Sequence, residues 1–379
     1  MTLVKKNIDL LNGNILTPLT ELALPIMATS LVQTAYNLTD MAWIGMVGSD
    51  AVAAVGAAAM YTWLSSGVAA LARMGGQVKS AHAYGEGNRR EAVQYGKGAL
   101  QLALVLAAAY GIITNLFAGP LIGFFHLNSS LVVKDAIVYL RIACGLILFA
   151  FIGQTLTGLY TASGNSRTPF VANCIGMGAN IVLDPLLIFG LGPIHGMGVA
   201  GAAVATVTAQ RVGGQIESIS WMTADGFGTS INAFVGQNYG AGNLKRVKKG
   251  YMTASAIMFI WGIFTTCLLI FGAAPIFRLF IHEPEVIPAG ADYLRIIGFS
   301  EMFMCVELMT VGALSGMGKT MEASVITIIL TTARIPLAVI LGGTALGLNG
   351  IWWALTISSI VKGIIFFGYY LHIMKRMKA

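Results

Sequence analysis

The stretch Tyr36–Gly45 reads YNLTDMAWIG, and it follows ELALPIMATSLVQTA at Glu21–Ala35. Beyond it no charge appears until Asp50. An ionisable Asp40 therefore sits inside an apolar segment long enough to cross a bilayer, where about 20 such residues suffice. A carboxylate at that depth costs several kcal/mol, ~2.5–3.5 on insertion scales, and marks a functional position by default. Its surroundings repeat the signal. Gln33, Tyr36, Asn37 and Asp40 stand at helical spacings of three, four and seven, so they form one polar stripe on a helix.

The rest of the chain has the same character. It holds 379 residues, 56% hydrophobic and only 10% charged, with a mean hydropathy of +0.76. A water-soluble domain carries roughly 25% charged residues. Apolar segments recur along the whole length, and the 46 glycines suit close helix packing in lipid. The alternating ten-residue segments of a β-barrel are absent. The fold class is therefore an all-α polytopic membrane protein. Its N-terminus, MTLVKKNIDLLNGNILTP, does not read as a signal peptide, since no apolar core precedes a small-residue cleavage site.

The net charge of +7 orients the chain in a membrane and does not point to nucleic acid. Sixteen of its 23 Lys and Arg residues cluster at the termini and in alternate connections, such as Arg89–Arg90 and the run LKRVKK at Leu244–Lys249. This is the positive-inside pattern, and it expects both termini in the cytoplasm. The four cysteines lie in apolar segments without CxxC spacing and read as small buried hydrophobes. No P-loop and no HExxH motif occurs, so neither direct ATP hydrolysis nor a metal centre is expected.

An internal repeat organises the spans. Tyr84-Gly85-Glu86-Gly87-Asn88 returns as Tyr239-Gly240-Ala241-Gly242-Asn243, and Tyr139-Leu140-Arg141-Ile142 returns as Tyr293-Leu294-Arg295-Ile296. Ser163-Gly164 with Arg167-Thr168 is matched to Ser315-Gly316 with Lys319-Thr320, and Gly198-Val199 to Gly350-Ile351. Four matches in order imply two homologous halves. Eleven candidate spans are visible, however, and the sixth, near 196–210, is too short to cross. The pattern expects twelve helices in two six-helix lobes related by a parallel pseudo-twofold axis. The N-terminal lobe is expected over 1–210 and the C-terminal lobe over 211–379. Between Gln210 and Arg211 roughly 60–75 residues are missing from that pattern, including the seventh helix.

A second intramembrane carboxylate, Asp184, lies in ANIVLDPLLIFG, with Asn180 one turn before it. If the two carboxylates share a poorly hydrated cavity, desolvation and like-charge proximity favour the protonated form of at least one. That is the property of a proton carrier; a satisfied polar contact between helices is the structural alternative for each. Pro25 interrupts the hydrogen bonding of the first helix and marks a candidate hinge. Asp225 and the charges Glu217, Glu301, Glu307, Arg334 and Lys362 populate the second half. Of these, Arg334 is expected to neutralise a carboxylate across helices.

Taken with the repeated YGxGN loops, the SGNSRTP loop and NIVLDPLLIFG, the segment PIMATSLVQTAYNLTDMAWIG resembles the multidrug and toxic compound extrusion family, most closely its DinF-like branch. The resemblance covers nearly the whole chain. It implies two six-helix lobes, a central cavity, and proton-coupled export of cationic or amphipathic compounds across the cell membrane by alternating access. It also implies coupling through Asp40 and Asp184, with Gln33, Tyr36, Asn37, Tyr139 and Asn180 at polar positions around them. Sodium-coupled relatives use acids of the C-lobe, one of them on the seventh helix, so Na+ stays open as coupling ion. No cofactor, enzymatic activity or nucleic-acid partner is expected, and the chain is expected to act as a monomer. A lipid-linked oligosaccharide flippase of related fold is the alternative. An intramembrane aspartyl protease is remote, because Asp184 lacks a GxGD context.

Overall fold

The computed structural model describes the backbone of residues 8–45, 49–127, 129–176, 208–278 and 287–377; side chains are described for these except 33–45, 49–52, 208–219 and 277. All regular structure among the described residues is helical. The first half comprises α1 (Leu16–Gly45), α2 (Ser49–Gly85), α3 (Arg89–Leu116), α4 (Ala118–Gly123), α5 (Ser130–Gly145), α6 (Ile147–Ala162) and the start of α7 (167–176). The second comprises α8 (Thr208–Gly240), α9 (Leu244–Phe271), α10 (Ala273–Arg278), α11 (Ile287–Gly298), α12 (Glu301–Gly316), α13 (Thr320–Thr332), α14 (Arg334–Gly342) and α15 (Leu348–Arg376). Among the described residues five stretches are long and apolar enough to cross a membrane as they stand, and up to seven if each of two bent pairs counts as one span. The outer surface fits that reading. Large apolar side chains such as Trp63, Phe149 and Ile260 stand exposed on the helix exteriors, where an aqueous surface would place charge.

The repeat is written into the backbone. Gly87 and Gly242 adopt φ of +75° and +73°, the left-handed region that suits a residue without Cβ. Asn88 and Asn243 then cap α3 and α9 by accepting from the N–H groups of Glu91 and Arg246. The bent pairs also correspond, at 45° for α5–α6 and 50° for α11–α12. In the second pair Ser300 makes the turn, giving both its N–H and its hydroxyl to the carbonyl of Ile297.

One register differs from the sequence reading. Gly164 and Gly318 share φ near +80°, and each donates its N–H three residues back, to Thr161 and Ser315. Gly164 therefore matches Gly318 rather than Gly316, an offset of 154 rather than 152. The shared glycines made the shorter offset look right, but only the positive-φ glycine marks the turn. The pair Gly198-Val199 lies outside the described residues.

The core of the second half packs α8, α9, α12 and α15 around Phe234, Met309, Phe366 and Tyr370. Tyr251 stacks on Tyr370 with ring centroids 3.6 Å apart and shares a 2.9 Å hydrogen bond with Thr310. Backbones meet where α8 crosses α12, since a Cβ on Gly312 would strike the carbonyl of Gly228. Small residues allow this approach in lipid, where van der Waals packing drives helix association. The start of α1 belongs to this core as well: Leu19, Leu22 and Ala23 are buried against it. The first half has its own core, in which Ala54, Ala58, Val132 and Leu140 join α2 to α5.

The loops 84–88 and 240–243 lie at the same end of the bundle, because Gly85 abuts the carbonyl of Gln237 and Gly240 that of His82. Both loops are basic, as the positive-inside pattern expects of loops on one side of a membrane. Helix α8 runs without a break through Gln210 and Arg211, so no loop marks the expected junction. Helix α1 likewise continues through Pro25, with Thr29 Oγ1 donating to the proline carbonyl at 2.9 Å.

Candidate functional site

The first-helix stripe retains its register in the structure. Positions 33, 36, 37 and 40 all fall within the continuous helix α1, so they share a face. The side chains of Gln33, Tyr36, Asn37 and Asp40 lie outside the described residues, as do Asp184 and Asn180 in their entirety. Tyr139 is described: it is half-buried on α5 and packs against the α2–α5 core. Pro25 is half-buried as well, at the turn of α1 just beyond Ala23.

Three polar features stand out among the described residues, two between the halves and one inside the second. The first is a seam at the basic end. Gln237 Nε2 donates to Ala162 O at 2.7 Å, Gln77 Nε2 to Thr229 O at 3.1 Å, and His82 Nε2 to Gly316 O at 2.6 Å. A carbonyl oxygen only accepts, so the Nε2 of His82 carries the proton. A strap crosses the same end: Ile8 N donates to Gly164 O, while Asn238 and Arg246 donate to carbonyls of residues 10–14.

The second is a cleft of about 60 Å³ between the halves, lined by Arg73 and Gln77 of α2, Asp225 and Asn232 of α8, and Leu308 of α12. Asp225 is accessible within it and feels the opposite charge of Arg73 without a direct ion pair. The volume admits water and falls well short of the roughly 300–1,000 Å³ of a drug site.

The third is a chamber of about 240 Å³ inside the second half, between α8, α11, α12, α14 and α15. Lys362 Nζ lies 2.7 Å from Glu307 Oε1, and both residues are buried. Arg334 donates to the hydroxyls of Ser358 at 3.0 Å and Ser359 at 2.8 Å. The expectation that Arg334 neutralises a carboxylate across helices is met only at longer range: its charge acts on Glu307, while Lys362 makes the direct ion pair, reaching Glu307 from the middle of α15. Glu307 and Lys362 are 55 residues apart, so only their position in apolar spans singled them out. Gln77 and Gln237 escaped notice because amides in a helix carry no charge signal; the Gly-rich VGQNYGAG around Gln237 was the available clue to a close approach.

Two matched helix repeats with buried polar groups and a seam at one end define a membrane protein of two related halves. The MatE family model matches residues 25–186 and again 189–340, and the chain belongs to this family of multidrug and toxic compound extrusion transporters, which are not enzymes. A probable multidrug resistance protein NorM of Thermotoga maritima is 25% identical over 410 residues, covering 88% of this chain and 87% of the relative. An FAD transporter of Shewanella oneidensis is 22% identical over 435 residues, covering 95% of each. Both alignments are longer than the chain itself, so stretches of each relative have no counterpart here. A crystal structure of MATE in complex with MaL6 superposes with a TM-score of 0.87 at 20% identity, over 98% of this chain and 99% of that one.

Proposed function

We propose that this chain is a proton-coupled exporter of cationic or amphipathic small molecules, of the DinF-like branch, working as a monomer in the cell membrane with both termini in the cytoplasm. The observation that carries the reading is the unbroken helix α1, which keeps Asp40 in register with Gln33, Tyr36 and Asn37 at membrane depth. Asp40 and Asp184 hold the coupling proton in this scheme, Asn180 and Tyr139 border the site, and Pro25 is the hinge. Protonation and binding of a cationic substrate then compete within the N-lobe. Multidrug resistance relatives that cover most of the chain support the exporter over other transport roles.

A flippase for pyrophosphate-linked lipids asks for a cationic central cavity. The cleft between the halves instead holds one charge of each sign, Arg73 and Asp225. The absence of a seventh helix between Gln210 and Arg211 is supported by alignments that exceed the chain length. Sodium coupling that relies on that helix lacks its ligand here.

The test is Asp40→Asn in proteoliposomes under an imposed pH gradient, set beside a sodium gradient. Asparagine keeps the shape and fixes the charge at zero, so the variant reaches the membrane and loses proton-driven efflux. Normal efflux and normal substrate-induced proton release by Asp40→Asn overturn the carrier assignment. Efflux driven by sodium alone reassigns the ion.

A further inference from the structure

The chamber inside the second half carries an imbalance of charge and of hydrogen-bond donors. Among the described residues its ionised side chains are Glu307, Lys362 and Arg334; Glu301, on the same helix as Glu307, does not line it. Lys362 pairs directly with Glu307 and Arg334 attracts the same carboxylate only at longer range, so these side chains carry one positive charge in excess. The hydrogen-bond partners of Arg334 among the described residues are two serine hydroxyls, which are neutral. Of its five N–H groups two are engaged in these bonds, and of the three on Lys362 one is engaged. Ser358 passes its own proton on to the carbonyl of Leu330, so it serves Arg334 as an acceptor held in place.

An excess cation kept at bilayer depth is costly. The protein nevertheless builds a seat for this one, orienting the guanidinium through two hydroxyls of α15. Arg334 sits where α13 gives way to α14 and is half-exposed to the chamber. Trp221 and Tyr293 supply aromatic walls beside it. A planar fork next to flat apolar surface matches an oxyanion attached to an aromatic body.

We propose that this chamber is an anion subsite, in which Arg334 receives the carboxylate or phosphate of an aromatic acid while Trp221 and Tyr293 flank its ring. Lys362 lends a second donor to the same oxygens and stays paired with Glu307. The volume of about 240 Å³ fits one small ring system with its acid group. The site thus extends the range of amphipathic ligands to acids, and it uses neither Asp40 nor Asp184.

The experiment is calorimetric titration of the purified full chain with 2-naphthoate, its uncharged amide, and 2-naphthylmethylammonium. Wild type is expected to bind the acid saturably and to bind the amide and the ammonium at least about tenfold more weakly. Arg334→Gln loses at least about tenfold in affinity for the acid, and Arg334→Lys, which keeps the charge without the fork, loses an intermediate amount. Asp40→Asn leaves acid binding unchanged, which separates this site from the proton-coupling proposal. Inorganic phosphate displaces 2-naphthoate if the oxyanion alone is recognised; displacement only by aromatic acids assigns recognition to the walls and the fork together. No saturable binding of the acid by wild type, equal binding of acid and amide, or undiminished binding by Arg334→Gln each overturns the proposal.

Discussion

The side-chain amide of Gln237 lies 2.7 Å from the carbonyl oxygen of Ala162 and joins the second half of the chain to the first. Gln237 is buried there, and its backbone carbonyl is the group that Gly85 abuts. One residue thus supplies both the bond and the steric stop of the seam.

Gly240→Ala tests the neighbouring stop of the same seam. An added Cβ would run into the carbonyl of His82 across the seam. Overpacking of this kind costs about 2 kcal/mol, some thirtyfold in the population of the closed end. The variant inserts normally, efflux falls, and a cysteine at Gln77 becomes reactive from the basic side. Unchanged reactivity would show that the seam yields without opening.

The orientation is read by cysteines at Glu86 and Ala241, exposed neighbours of Gly87 and Gly242. Replacing the glycines themselves would strain backbones held at positive φ. Both cysteines should label from the cytoplasm alone, in keeping with the basic loops around them. Labelling of the two from opposite sides contradicts the shared end.

The Glu307–Lys362 pair is predicted to behave as a unit. Lys362→Met alone strands a buried carboxylate and costs about 3–5 kcal/mol. Adding Glu307→Gln recovers most of that loss. Thermal unfolding of the two single variants and the double variant in detergent yields the coupling; additive losses mean the ion pair contributes nothing specific.

The strap at the basic end should not respond to pH in the physiological range. Asp9 accepts from Asn12 Nδ2 at 3.0 Å and from the N–H groups of Leu11 and Asn12 at 2.9 and 3.2 Å. These bonds, led by the Asn12 amide, hold its carboxyl below the usual carboxylate range. A depressed folded value gives stability that is complete above the unfolded value of 3.8 and is lost as pH falls through the lower folded one. Hydrogen exchange at Leu11 and Asn12, corrected for intrinsic rates, is therefore constant from about pH 5 to 8 and rises only below about pH 4. Arg246→Gln, which removes the guanidinium fork from the strap carbonyls, raises it about thirtyfold between about pH 5 and 8, the equivalent of about 2 kcal/mol.

The repeat was legible because turn chemistry is local. A glycine at positive φ followed by a capping asparagine leaves the same letters in both halves, at Gly87-Asn88 and Gly242-Asn243. Where two glycines competed, as at Gly316 and Gly318, letters alone chose the wrong one and the backbone angle decided. The membrane class was legible from composition for the same kind of reason, since every stretch of a span must be apolar. The pairing of Lys362 with Glu307, and of Arg334 with serines, was not. Which polar groups meet depends on how helices distant in sequence rotate against each other. The seam was hidden likewise, because its hydrogen bonds end on backbone carbonyls, which every residue has.

The bond from His82 to Gly316 has a consequence for which substitutions can undo the seam. Like the bonds of Gln77 and Gln237, it ends on a backbone carbonyl, a group every residue carries. The acceptors at Thr229, Gly316 and Ala162 therefore survive any change of side chain there that keeps the backbone in place. Only the donors can be deleted by mutation, so the clasp is written in three letters of the sequence, Gln77, His82 and Gln237.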